Sequence, residues 1–304
     1  MRMSSQQMYN SSLQHLQNTN TRIDKLNTMI STGKSILLPS DDPIGAVKVI
    51  GNQRDMAANN QYINNIDSLS NSFNRAETNL SSLVELQNKM REIAISTNNG
   101  SLSPQDRAAY GAEMETLLST FTDRLNAQDE SGNYLFSGNK TDIAPIVKNH
   151  QGEYEYQGDN KLREVQISSS SWVSANVTAD ALIFSNGSPD ILNQTQAFID
   201  TLNDASLSPG AEKFDNVVNA MQTSLNDTLT NTSRAITDIG GKQNSLSLVK
   251  SSHEQMVLFN KEVIGDIEGV DYAKAVTELN MQMSAYQITQ KIISQVNNLS
   301  LFNQ

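Results

Sequence analysis

The sequence predicts a mainly α protein in which coiled-coil and helical-bundle segments run in from both chain ends and flank a small β-rich insert. Three observations carry this reading. First, residues 1–33 place Tyr9, Leu16, Ile23 and Ile30 at strict seven-residue steps, with Leu26 between them, and residues 270–304 place Val276, Leu279, Met283, Tyr286 and Ile293 at steps built from threes and fours. Such spacing lays a narrow apolar stripe along one side of a helix, the seam of a coiled coil. Second, only 37% of the 304 residues are hydrophobic, whereas Ser, Thr, Asn and Gln supply 112. A core drawn from this composition is thin, which suits stripes along helices better than one large globular interior. Third, between residues 133 and 189 the heptads give way to glycines and short alternating segments, the pattern of strands.

Taken in order, the first helix is expected over Ser4–Thr32, with Gly33 as its stop. Pro39-Ser40-Asp41-Asp42-Pro43 then reads as a loop that delivers an N-cap, Asp42 capping and Pro43 at the first helical position. A long helix follows from Pro43 to about Thr97, striped by Leu69, Ala76, Leu83 and Met90, with Phe73 and Leu80 alongside. Unbroken, it would reach roughly 80 Å. Asn98-Asn99-Gly100 ends it as a turn, and Ser103-Pro104-Gln105-Asp106 starts the next helix, striped by Tyr110, Met114, Leu117, Leu118, Phe121 and Leu125. Tyr154-Glu155-Tyr156 and Val165-Gln166-Ile167 read as strands of the insert, which Asn186-Gly187-Ser188-Pro189 closes as a turn. Helices resume at Asp190, break at Pro209-Gly210, and continue as a second long helix from Ala211 to Ile267, weakened or kinked at Gly240-Gly241. Gly269 sets off the terminal helix. The expected organisation is nested: 1–42 with 268–304 as a terminal coiled-coil layer, 43–141 with 189–267 as a rod-like bundle, and 142–188 as an outer insert.

Composition and motifs exclude most chemistry. A net charge of −11 with no basic block argues against nucleic acid and against anionic membranes. No stretch approaches the roughly 18 consecutive apolar residues of a membrane span. Met1-Arg2-Met3-Ser4-Ser5-Gln6-Gln7 has no apolar segment of a secretory signal, which alone points to the cytoplasm. With no cysteine, thiol catalysis, disulfides and thiolate metal sites are excluded. His15, His150 and His253 are isolated and fit no metal-ligand spacing. No phosphate-cradling glycine loop and no nucleophile elbow occurs. Asp41-Asp42 is the prominent carboxylate pair, and its place in a loop before a helix marks capping rather than acid–base work. Tyr154, Tyr156 and Trp172 are expected as the insert's core, with a sugar-binding face as the alternative.

The terminal stripes are the candidate site. Each is too narrow to stabilise its helix alone. Thr19, Gln290 and Asn297 interrupt them with polar side chains at seam positions, which lowers stability but fixes register and partner. The nine stripe residues Tyr9, Leu16, Ile23, Ile30, Val276, Leu279, Met283, Tyr286 and Ile293 are therefore the candidate assembly residues.

Ser31-Thr32-Gly33-Lys34 with Pro39-Ser40-Asp41-Asp42-Pro43-Ile44-Gly45-Ala46 resembles the N-terminal signature of the bacterial flagellin family, and Asp271-Tyr272-Ala273-Lys274-Ala275-Val276-Thr277-Glu278-Leu279 resembles its C-terminal signature. Asn133-Tyr134-Leu135-Phe136-Ser137-Gly138-Asn139-Lys140-Thr141, the opening Met1-Arg2-Met3-Ser4 and the tail Leu299-Ser300-Leu301-Phe302 are similar to the member that forms the junction layer between hook-associated protein 1 and the flagellin filament. The resemblance implies a structural subunit without catalysis or cofactor. Its implied partners are further copies of itself in a helical ring, hook-associated protein 1, flagellin, and an export chaperone at the C-terminal region. It also implies export, largely unfolded, through the flagellar type III channel to the extracellular flagellum, a route that needs no cleaved signal. A filament-forming flagellin is the alternative within the family.

Overall fold

The computed structural model describes residues 2–98, 100–184 and 190–301, with side chains over 7–98, 100–184 and 190–295. Met1, Asn99, the turn at Asn186-Gly187-Ser188-Pro189 and Phe302 lie outside the described residues, as does the side chain of Asn297. Seven helices and four short strands follow in the order α1 (Arg2–Thr32), α2 (Pro43–Ser96), α3 (Pro104–Leu125), β1 (Ile146–Lys148), β2 (Tyr154–Tyr156), β3 (Glu164–Gln166), β4 (Trp172–Ser174), α4 (Ala179–Ile183), α5 (Ile191–Asn203), α6 (Glu212–Glu268) and α7 (Tyr272–Leu301). The mainly helical architecture with a small β-rich region is the one expected.

Local chemistry sets the helix ends. Ser103 and Asp106 form a reciprocal capping box before α3, with Pro104 in the first turn. Asp190 caps α5 by accepting from the Asn193 N–H at 2.8 Å. Gly33 stops α1 in the left-handed conformation, φ +71°. α6 keeps its helical assignment through Gly240-Gly241, the pair expected to weaken or kink it. Each glycine costs a helix about 1 kcal/mol relative to alanine. Ile239 and Leu246, both fully buried, hold the segment against the core from either side of the pair.

Two compact units make up the chain, one of residues 1–60 and 254–304, the other of residues 61–253. The larger unit has a continuous core. α2 contributes Ile66, Leu69, Phe73, Leu80, Leu83 and Met90, and α3 contributes Met114, Leu118, Phe121 and Leu125. α5 and α6 close it with Phe198, Leu202, Phe214, Val218, Met221 and Leu225. The β-rich residues join this same core through Phe136, Ile146, Tyr154, Ile167, Leu182 and Ile183.

The strands form two separate antiparallel hairpins, β1 with β2 (Val147 opposite Glu155) and β3 with β4 (Val165 opposite Val173). Two-stranded hairpins are marginal alone, and the helices supply what they lack. Asn65 of α2 donates to the Gln166 carbonyl at 2.8 Å, and His253 Nε2 lies 2.8 Å from the Ile167 carbonyl while its ring packs on Tyr62. The motif Asn133–Gly138 is a second anchor. Phe136 and Ser137 are fully buried, the Phe136 carbonyl accepts from the Ala179 N–H, and the Asp159 carboxylate accepts from the Asn139 N–H at 2.7 Å. Gly138 has φ +78°, and any Cβ there would overlap the Asp159 carbonyl, so the turn admits only glycine. Of the three aromatics expected in the insert's core, Tyr154 is buried and Tyr156 half-buried, but Trp172 is 57% exposed. Among the described residues, β4 pairs with β3 alone.

Candidate assembly surface

The smaller unit brings the two chain ends together. The link after α1 pairs with the link before α7: Ser35 N–H donates to the Glu268 carbonyl at 2.6 Å, Val270 N–H donates to the Gly33 carbonyl at 3.1 Å, and the Ser35 hydroxyl donates to the Glu268 carbonyl at 3.0 Å. Lys34 and Glu268 form an ion pair over this bridge at 2.7 Å. Half of the Lys34 side chain is in water, so such a pair adds at most about 1 kcal/mol, and the backbone bonds do most of the pinning. The C-terminal end of α1 is thereby fixed beside the N-terminal end of α7, and the two helices pack as an antiparallel pair. Gly33 is required twice, for its positive φ and because a Cβ there would press on the Tyr272 hydroxyl at 3.0 Å. No pattern within the sequence announces Ser35 or Glu268, since their contact spans 233 positions.

The Asp41-Asp42 pair caps and braces, as its place before α2 suggests. Asp42 Oδ1 accepts from the N–H groups of Ile44 (3.1 Å) and Gly45 (3.0 Å), satisfying the first turn of α2. Asp41 Oδ2 accepts from the N–H groups of Leu37 and Leu38, both at 3.1 Å, and its Oδ1 takes Lys25 of α1. The Lys25 ammonium and these backbone donors hold the Asp41 carboxyl below the usual carboxylate range.

Along the helix pair, the α1 stripe is partly covered: Leu26 is buried, and Tyr9, Leu16, Ile23 and Ile30 are half-buried. On α7 the covered line is Ala275, Leu279, Gln282, Tyr286, Thr289 and Ile293. Val276 and Met283 fall outside it, 43% and 47% exposed. Met281, Ile288 and Ile292 are exposed on a further face. Apolar side chains thus occupy three faces of α7, and α1 covers one. Of the polar interruptions, Thr19 is half-buried with its hydroxyl bonded to the His15 carbonyl at 2.8 Å, while Gln290 is exposed and Thr289 takes the covered position.

No group of three or more His, Cys, Asp or Glu converges as a metal site among the described residues, and no described helix is long and apolar enough to cross a membrane.

Comparison with known proteins agrees with this geometry. Residues 3–141 match the family model of the bacterial flagellin N-terminal helical region. The chain is 26% identical over 319 residues to flagellar hook-associated protein 3 of Escherichia coli (strain K12), covering 99% of each. It is 34% identical to a solved structure assigned as a flagellar hook-associated protein from Vibrio parahaemolyticus, with a TM-score of 0.70 over 75% of this chain and all of that one. A structure of the flagellar junction protein FlgL from Legionella pneumophila, 17% identical, shares the fold with a TM-score of 0.60 over 73% of this chain and all of that one. With both terminal signatures seated at the paired ends, the chain belongs to the bacterial flagellin family, on its hook-associated protein 3 side, and is a structural component of the flagellum rather than an enzyme.

Proposed function

We propose that the chain forms the junction between the hook and the filament, assembling with copies of itself in a helical ring between hook-associated protein 1 and flagellin. The apolar excess of α7 carries this reading. Val276, Met283, Met281, Ile288 and Ile292 are exposed in the single chain, and one partner helix cannot cover three faces. A surface of this kind marks an interaction site. In the assembly, residues 1–42 and 268–304 form the coiled-coil layer that contacts neighbouring copies. Contacts are heterologous, one patch meeting a different patch on the next subunit, which builds a helical array. The chain leaves the cell largely unfolded through the flagellar type III channel, guided by a chaperone at its C-terminal region. A thin, cysteine-free core suits that passage.

Deletion of the gene tests the reading. Loss of the junction leaves hooks without filaments while flagellin is still secreted into the medium, and the intact gene restores filaments. The second reading, a filament-forming flagellin, is favoured by the match of residues 3–141 to the flagellin N-terminal region. Long filaments grown from the purified chain alone would establish it and displace the junction role.

A further inference from the structure

In the unit of residues 1–60 and 254–304, the long helices α2 and α6 each bury one line of side chains and expose another. On α2 the covered line is Ala46, Val49, Asn52, Met56 and Asn59, at three–four spacing. Ile44, Val47 and Ile50 point elsewhere and are each more than half exposed. Gly51 and the exposed Arg54 continue the stripe begun by Ile44 and Val47, and Lys48 flanks it. A Cβ at Gly51 would meet nothing within 4 Å. On α6 the covered line is Val257, Asn260, Ile264 and Ile267. Met256, Leu258 and Phe259 are each more than half exposed, and the exposed Glu262 and Asp266 extend the Phe259 stripe.

We infer that these two stripes are the halves of one contact between copies of this chain, the α2 stripe of one subunit seating on the α6 stripe of the next. Three observations favour a second copy over another occupant. The apolar parts match in kind: Ile44 and Val47 with Ile50 beside them on α2, and Phe259 flanked by Leu258 on α6. The charges are opposite: the α2 segment 43–60 carries Lys48, Arg54 and Asp55, a balance of +1, and the α6 segment 254–267 carries Glu254, Lys261, Glu262 and Asp266, a balance of −2, with Glu268 beyond it already paired to Lys34. The open helical glycine at Gly51 costs α2 stability in the single chain and gives an approaching helix room. Neither stripe complements itself, so the contact is heterologous and propagates. Arg54 and Lys48 meet Glu262 and Asp266 at its rim, where opposite charges set partner and register. This inference rests on the proposed self-assembly and assigns it residues outside the α1–α7 pair.

The natural absence of cysteine makes the test clean, because every crosslink between copies of this chain arises from introduced thiols. The full chain carrying Val47→Cys and Phe259→Cys is expressed in a strain lacking its own copy, and intact flagella are treated with a short bifunctional maleimide. The expected result is a ladder of dimers, trimers and higher species from the double variant and monomer from either single variant. Arg54→Glu lowers the ladder about tenfold, and Arg54→Glu combined with Asp266→Arg restores it. Dimers from Val47→Cys alone would overturn the inference in favour of a symmetric contact. Intact flagella that give no ladder would overturn it while leaving the junction role standing. A ladder in flagella whose assembly does not depend on the junction would sink that role and leave the contact.

Discussion

At the residue scale, two glycines about one and two-thirds turns apart on α2 meet different surroundings. Alanine is preferred over glycine in a helix by about 1 kcal/mol. At Gly51 nothing opposes that preference, so Gly51→Ala raises the thermal stability of the isolated chain. At Gly45 the new Cβ would lie 2.5 Å from Asp42 Oδ2 and 2.8 Å from Ile36 Cδ1. Gly45→Ala therefore presses on the capping carboxylate and on Ile36, and disturbing the cap, worth about 1 kcal/mol, offsets what alanine gains. Gly51→Ala should melt above Gly45→Ala. The neighbouring Asp41 predicts an acid response. Its lowered carboxyl means that it contributes stability above the ordinary carboxylate range and loses that contribution as the pH falls below it. Asp41→Asn removes the charge facing Lys25, so wild type and variant should differ in melting temperature at neutral pH and converge only as the pH falls through the lowered range of the Asp41 carboxyl. The capping role of Asp42 was legible in the sequence because Asp-Pro before a helix is local chemistry. The grip of Asp41 on Lys25 was not, because it depends on how α1 returns beside the loop.

At the scale of elements, the seven-residue steps located the paired helices but not the covered face of α7. Leu279, Tyr286 and Ile293 lie on the covered line, whereas Val276 and Met283 lie off it, replaced there by Ala275 and Gln282. The reason is physical. α7 carries apolar residues on several faces, and periodicity alone does not say which face α1 takes. At Gly240-Gly241 the helix persists because burial on both sides offsets the low propensity of glycine. The faces of α7 can be separated by charge. Leu279→Asp puts a carboxylate on the covered line and should weaken both the α1–α7 pair and assembly, seen as lost helical signal in the monomer and missing filaments in cells. Ile288→Asp changes a residue 59% exposed in the single chain, where surface substitutions fall within about 0.5 kcal/mol. It should leave the monomer's melting unchanged and still abolish assembly. Normal flagella in the Ile288→Asp strain would remove the exposed faces of α7 from the assembly surface.

Over the whole molecule, side-chain burial is distributed unevenly, and this sets the order in which the chain opens. Residues 61–253 share a continuous core that includes five fully buried phenylalanines, Phe73, Phe121, Phe136, Phe198 and Phe214. Along the described side chains of α1 and α7, by contrast, Leu26 and Ala275 are the buried apolar residues, and the rest of the seam is half-covered. Local opening follows such differences in buried contact. Helices with so thin a seam are marginal until further apolar partners arrive. Limited proteolysis of dilute monomer should therefore trim residues 1–33 and 270–304 first and leave a resistant fragment close to 61–253. If neighbouring copies cover Val276, Met283 and Ile288 as proposed, the same protease acting on assembled flagella should spare the ends. Equal resistance of the ends in both states would mean that α1 and α7 need no neighbour, and that their exposed apolar faces serve something other than assembly.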